Sequence, residues 1–142
     1  MSDIRSFRDL DAWQVAITAV ELTYELTADF PDAERFGLTS QMRRASVSIP
    51  SNVAEGQAVR SPRWALRHIV IAIGSSAELD TQLEIALRLR FITKEHAAEL
   101  VATIDRLQKL LYGLRREKER RLGMSIAGLA LVFLLPFLRL LA

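Results

Sequence analysis

The sequence predicts an all-α fold, an antiparallel up-down-up-down four-helix bundle with a kinked second helix and an apolar C-terminal helical extension. Three observations point there. Apolar residues recur three and four positions apart along four long stretches, the spacing that lines one face of a helix. Strand signals are nearly absent, and no Asn-Gly or Asp-Gly hairpin turn occurs in the 142 residues. The links between the periodic stretches are short, which makes consecutive helices antiparallel neighbours.

The first helix is expected from Asp9 to Phe30, with Leu10, Trp13, Ile17, Val20, Tyr24 and Thr27 as its inward stripe, and Pro31 stops it. The second is expected from Leu38 to Ala58, capped by Thr39 or Ser40, with Leu38, Met42, Ala45, Ile49 and Val53 facing inward. Pro50 lies inside this helix, where it removes a backbone donor and crowds the carbonyl of Ser46. A kinked helix is the expected response, with Ser46 and Ser48 serving the freed backbone groups. Ser61-Pro62 reads as an N-cap followed by proline at the first position of a third helix reaching Arg90. Leu66, Ile69, Ile73, Ser76, Leu83 and Leu87 mark its stripe, and the small residues Gly74 to Ala77 suit close helix approach. Thr93 caps the fourth, whose run Ala97, Leu100, Ile104, Leu107, Leu111, Leu114 is the cleanest heptad pattern in the chain. The basic residues Arg115, Arg116, Lys118, Arg120 and Arg121 close it favourably against the helix dipole. The expected division is a bundle domain, 1–121, and an apolar tail, 122–142.

Composition narrows the chemistry. Without cysteine, disulfides, zinc thiolates and a thiol nucleophile are excluded. The net charge is +2, so contact with nucleic acid must come from charge placement rather than bulk charge. The polar N-terminus shows no secretory signal. The two histidines, His68 and His96, lack the Glu-x-x-His spacing of a bundle metal site, because Ala65 and Thr93 stand three positions before them. No glycine-rich phosphate loop or nucleophile elbow occurs, and Ser46, Ser48 and Ser51 have no evident base. The chain is expected to be no enzyme and to need no metal or cofactor.

The arginines carry the remaining functional signal. Arg43 and Arg44 are adjacent, so they point about 100° apart on a helix. Two roles fit: an ion pair with Glu55 or Glu78 or across a subunit boundary, or a phosphate contact. Arg60, Arg63 and Arg67 bracket the start of the third helix with Trp64 among them. That composition suits a platform for single-stranded nucleic acid and equally suits a solvated face with a half-buried tryptophan. The basic cluster at 115–121 suits RNA contact or the cytoplasmic flank of a membrane segment.

Several blocks together resemble a known family. They are Phe7-Arg8-Asp9-Leu10 with Trp13-Gln14, Tyr24-Glu25-Leu26-Thr27 leading to Phe30-Pro31, the stretch from Gly37 to Gly56, and Gly74 to Leu83. Over about residues 7 to 120 the chain resembles the four helix bundle proteins encoded in intervening sequences of bacterial 23S rRNA genes. The resemblance implies an antiparallel bundle assembling as a homopentameric ring. It also implies kinship with the accessory variability determinant of diversity-generating retroelements, a basic pentamer that engages a reverse transcriptase and nucleic acid. It supplies no catalytic residues. The expected function is therefore a cytoplasmic, homo-oligomeric accessory module that binds RNA or an RNA-handling protein such as a reverse transcriptase, with a structural protein-interaction scaffold as the alternative.

The tail lies outside that resemblance. Leu122 to Leu138 carries no charge, and Ser125 is its one polar side chain. These residues span roughly 26 Å as a helix, slightly short of a hydrocarbon core of about 30 Å. Three readings fit: an anchor at the cytoplasmic membrane, a helix buried by the oligomer, and an accidental extension.

Overall fold

A computed structural model describes residues 6–140, with side chains through residue 123. Among the described residues there are four α-helices and no strand: α1 (Asp11–Leu26), α2 (Leu38–Ala58), α3 (Pro62–Arg88) and α4 (Lys94–Leu140). Short 3-10 turns at Phe7–Asp9, Thr27–Asp29 and Asp32–Glu34 fill the approaches to α1 and α2. α1 packs on α2 and α4, α2 on α3, and α3 on α4, which closes the core.

The core is a stack of aliphatic side chains. Met42, Ile49 and Val53 from α2, Ile69, Leu79 and Leu83 from α3, and Leu100, Ile104, Leu107 and Leu111 from α4 are sealed from solvent. The stripes expected on α2 and α4 are the ones buried, except that Leu38 and Leu114 at their ends are half-buried. On α1 the buried face is rotated from the expected one. Ala12, Val15, Ala16, Ala19 and Thr23 face inward, while Trp13, Ile17 and Val20 are half-buried and Tyr24 is exposed. The small residues let α1 lie close against its neighbours, and the larger ones cover its flanks. Thr23 and Thr27, buried in this face, donate their hydroxyls to the carbonyls of Ala19 and Thr23 at 2.6 and 2.7 Å. Neither buried hydroxyl is left unpaired.

α1 is shorter than expected because 3-10 turns take over at both ends. α2 begins where expected, but its cap differs. The Glu34 carboxylate accepts from the Leu38 amide at 2.8 Å, and neither Thr39 nor Ser40 caps the helix. The helix runs through Pro50, which is itself buried. Ser46 Oγ donates to the Arg43 carbonyl and Ser51 Oγ to that of Val47, each at 2.9 Å. Ser48 serves a different end from the one expected, pairing with Ser75 of α3 through their hydroxyls at 2.8 Å.

Contacts between α2 and α3 run in opposing order. Ser48 meets Ser75, Asn52 meets His68, and Gly56 lies against Ala65. At Gly56 the backbones are so close that a Cβ would stand 3.2 Å from the Ala65 carbonyl oxygen. Gly74, expected at a close approach, opens on empty space. Its neighbours Ser75 and Ser76 are the buried members of that patch.

α3 ends two residues earlier than expected, in a Schellman turn. Arg90 has φ 60°, the Phe91 amide donates to the Ala86 carbonyl, and the Arg90 amide donates to that of Leu87. Phe91 then packs edge-on against Phe30, with ring centroids 5.5 Å apart. As expected, Thr93 accepts from the His96 amide at the start of α4. α4 has 47 residues, about 70 Å, against about 40 Å for the 27 of α3. Lys118 of α4 reaches Gln57 at the end of α2, and burial holds its ammonium below the usual lysine range. Among the described residues no helix is long and apolar enough to cross a membrane. The side chains of the candidate anchor lie, beyond Gly123, outside the described residues.

Candidate nucleic-acid interface

After α1 the chain passes through Pro31 and the Asp32–Glu34 turn, and Arg35 and Phe36 then stand beside the first turns of α2. The result is an open groove of about 720 Å³. Tyr24 of α1 lines it, with Arg35 and Phe36 of the connection and Thr39, Ser40, Arg43, Arg44, Val47 and Ser48 of α2. The lining contains three guanidinium groups, two aromatic rings and four hydroxyls (the Tyr24 phenol among them), and no carboxylate. Glu34, the nearest acid in the connection, is turned onto the Leu38 amide.

Each lining group has a definite setting. Arg43 Nε donates to Thr27 Oγ1 at 2.9 Å, and its guanidinium carbon stands 4.6 Å from the centroid of the Tyr24 ring. The stack and the hydrogen bond fix its orientation, and a flat guanidinium suits both. Arg44, one position on, is exposed and has no ion-pair partner among the described residues. The Arg35 guanidinium carbon stands 5.5 Å from the centroid of the Phe36 ring, and Phe36 is 88% exposed. The carboxylates expected for Arg43 and Arg44 are engaged elsewhere. Glu55 lies 3.1 Å from His68 Nδ1, and Glu78 accepts from Gln82 Nε2 at 3.0 Å. Among the described residues, then, no ion pair holds these arginines.

The second arginine group stands apart from the first. Trp64 is 53% exposed, and Arg67 lies over its ring at 5.3 Å. Arg60 and Arg63 are exposed nearby. The opposing order of α2 and α3 sets this group level with Gly56, and thirteen residues of helix, about 20 Å, separate Gly56 from Arg43. The fold therefore does not merge the six residues into one surface. The basic cluster near the end of the bundle is partly compensated: Arg115 pairs with Glu119 at 2.8 Å and Arg121 with Glu117, while Lys118 donates to the neutral Gln57 side chain.

Sequence reading missed three members of the groove. The periodicity places Tyr24 in the core stripe of the first helix, and Arg35 and Phe36 fall in the link between the first two helices, where the spacing gives them no role. The adjacent basic and aromatic residues following Pro31 were the available signal, the same alternation noticed around Trp64.

Residues 8–113 match the family described as 23S rRNA-intervening sequence protein. The chain belongs to that family. A solved structure described as a protein of unknown function from the S23 ribosomal protein family, from Bacteroides thetaiotaomicron, is similar in fold. Its TM-score is 0.62 at 23% identity, covering 73% of this chain and 94% of that one. No curated protein matches the chain. Both arginine groups lie within the stretch that matches the 23S rRNA-intervening sequence protein family, whereas the apolar tail lies beyond it.

Proposed function

We propose that the chain is a non-enzymatic, homo-oligomeric bundle of the cytoplasm, an accessory module that binds RNA or an RNA-handling protein such as a reverse transcriptase, with RNA the reading the geometry favours. The observation that carries this reading is the groove at the α1–α2 corner, where Arg35, Arg43 and Arg44 converge without a carboxylate among the lining residues. Three guanidinium groups held on a helix and its N-terminal approach are suited to phosphate oxygens. The helices are read as alternating up and down, with α2 bent at Pro50. The assembly is read as a ring of five, as the resemblance implies.

A salt titration of RNA binding is the test. Three phosphate contacts on a single strand give a slope of log K against log salt of about −2. Absence of binding at low salt, or a flat dependence, overturns the reading.

A second reading, a scaffold that contacts only protein, is favoured by a different observation. Val70, Ile71 and Ile85 of α3 and Val101 and Tyr112 of α4 are exposed on the outside of the bundle. The scaffold reading predicts a stable oligomer by native mass spectrometry and no affinity for RNA at any salt concentration.

A further inference from the structure

Phosphate binding alone leaves the aromatic rings of the groove without a purpose. A patch that only neutralises charge has no use for a phenylalanine that is 88% in solvent, beside Arg35 and within the same groove as Arg43 and Arg44. Arg35 covers one side of that ring at 5.5 Å. Its hydrocarbon surface is otherwise unclaimed, although burying it would be favourable. Tyr24, 45% exposed, repeats the arrangement within the same groove, with Arg43 at 4.6 Å from its ring. Two arginine–aromatic pairs thus line the groove together with Thr39 and Ser40 from the start of α2.

Resting on the RNA-binding reading, we infer that this groove takes unpaired nucleotides, with a base stacked on Phe36 and the adjoining phosphates on Arg43 and Arg44. In a duplex every base face is covered by its neighbours, so a protruding ring finds nothing to stack on. A single strand offers free faces of every base. Stacking is indifferent to base identity, so the site is one for single-stranded RNA with weak sequence preference. Arg44, which is exposed and has no ion-pair partner among the described residues, is the cation best placed to follow the backbone. Arg43, fixed by Thr27 and Tyr24, marks where the backbone passes.

The test uses the full chain and three probes of equal length: an oligouridylate, an abasic ribose-phosphate strand, and an RNA duplex. The oligouridylate is expected to bind about ten-fold or more tightly than the abasic strand, the effect of roughly one stacked base, and more tightly than the duplex. Phe36→Ala removes that preference while leaving the salt slope unchanged, Phe36→Trp keeps it, and Arg44→Ala lowers the slope for the oligouridylate and the abasic strand alike. Phe36 is so exposed that its replacement leaves the fold intact, which a thermal melt verifies. Equal affinity for the abasic strand and the oligouridylate, a preference for the duplex, or indifference to Phe36→Ala overturns the inference while leaving RNA binding standing. Failure of every probe to bind at low salt overturns the RNA reading itself, and this inference with it.

Discussion

Arg90 illustrates how a single residue can hold an unfavourable conformation because its neighbours require it. Its φ of 60° is one that L-residues mostly avoid and achiral glycine adopts freely. The turn holds because the Phe91 amide closes onto Ala86 and the Phe91 ring packs on Phe30. The side chain of Arg90 is exposed. Arg90→Gly is therefore expected to raise stability by about 0.5–1 kcal/mol, read as a higher urea midpoint at unchanged slope. A lower midpoint would show that the arginine side chain contributes more than its backbone costs. The residue scale was also where sequence reading was weakest. Adjacent arginines at 43 and 44 were visible, and so was their angular separation. What holds Arg43 is Tyr24 and Thr27, on the preceding helix and the turn that follows it, and nothing local in α2 points to them.

At the scale of elements, periodicity identified all four helices, and α2 was read from end to end. The stripe of α1 was misplaced for a physical reason. Its larger apolar residues and its alanines both repeat at three and four, and a reading by size favours the larger set. Packing favours the alanines, because they allow the closest approach of backbones. The glycines show the same contrast between composition and packing. Gly74 lies within α3 with open space where a Cβ would stand, so Gly74→Ala is expected to stabilise the helix by about 1 kcal/mol. Gly56 faces the Ala65 carbonyl and the His68 Cβ, each 3.2 Å from a built Cβ, so Gly56→Val is expected to destabilise by about 1–3 kcal/mol. Urea unfolding of the two variants, set against the parent, checks both signs.

For the molecule as a whole, α4 is the longest element, yet its ties to the other helices among the described residues lie between Ala97 and Lys118. A chain ending at Arg121 is accordingly expected to keep the helical signal per residue and the cooperative unfolding of the bundle. A broad, uncooperative melt of that shortened chain would show that the remaining segment supports the core. The bundle itself was legible in the sequence because amphipathic periodicity is a local property repeated over many residues. The groove was half legible. Its α2 wall followed from Arg43 and Arg44, but its other wall depends on how the chain turns at Pro31. The separation of the two arginine groups depends on the register of α2 against α3, which Ser48–Ser75 and Gly56–Ala65 set through contacts distant in sequence. RNA is expected in the groove at the α1–α2 corner, and photo-crosslinking decides whether it lies there. A 4-thiouridine oligoribonucleotide, irradiated with the full chain and followed by peptide mass spectrometry, is expected to attach within residues 24–48. Attachment confined to residues 60–67, or none above a non-binding control, would contradict it.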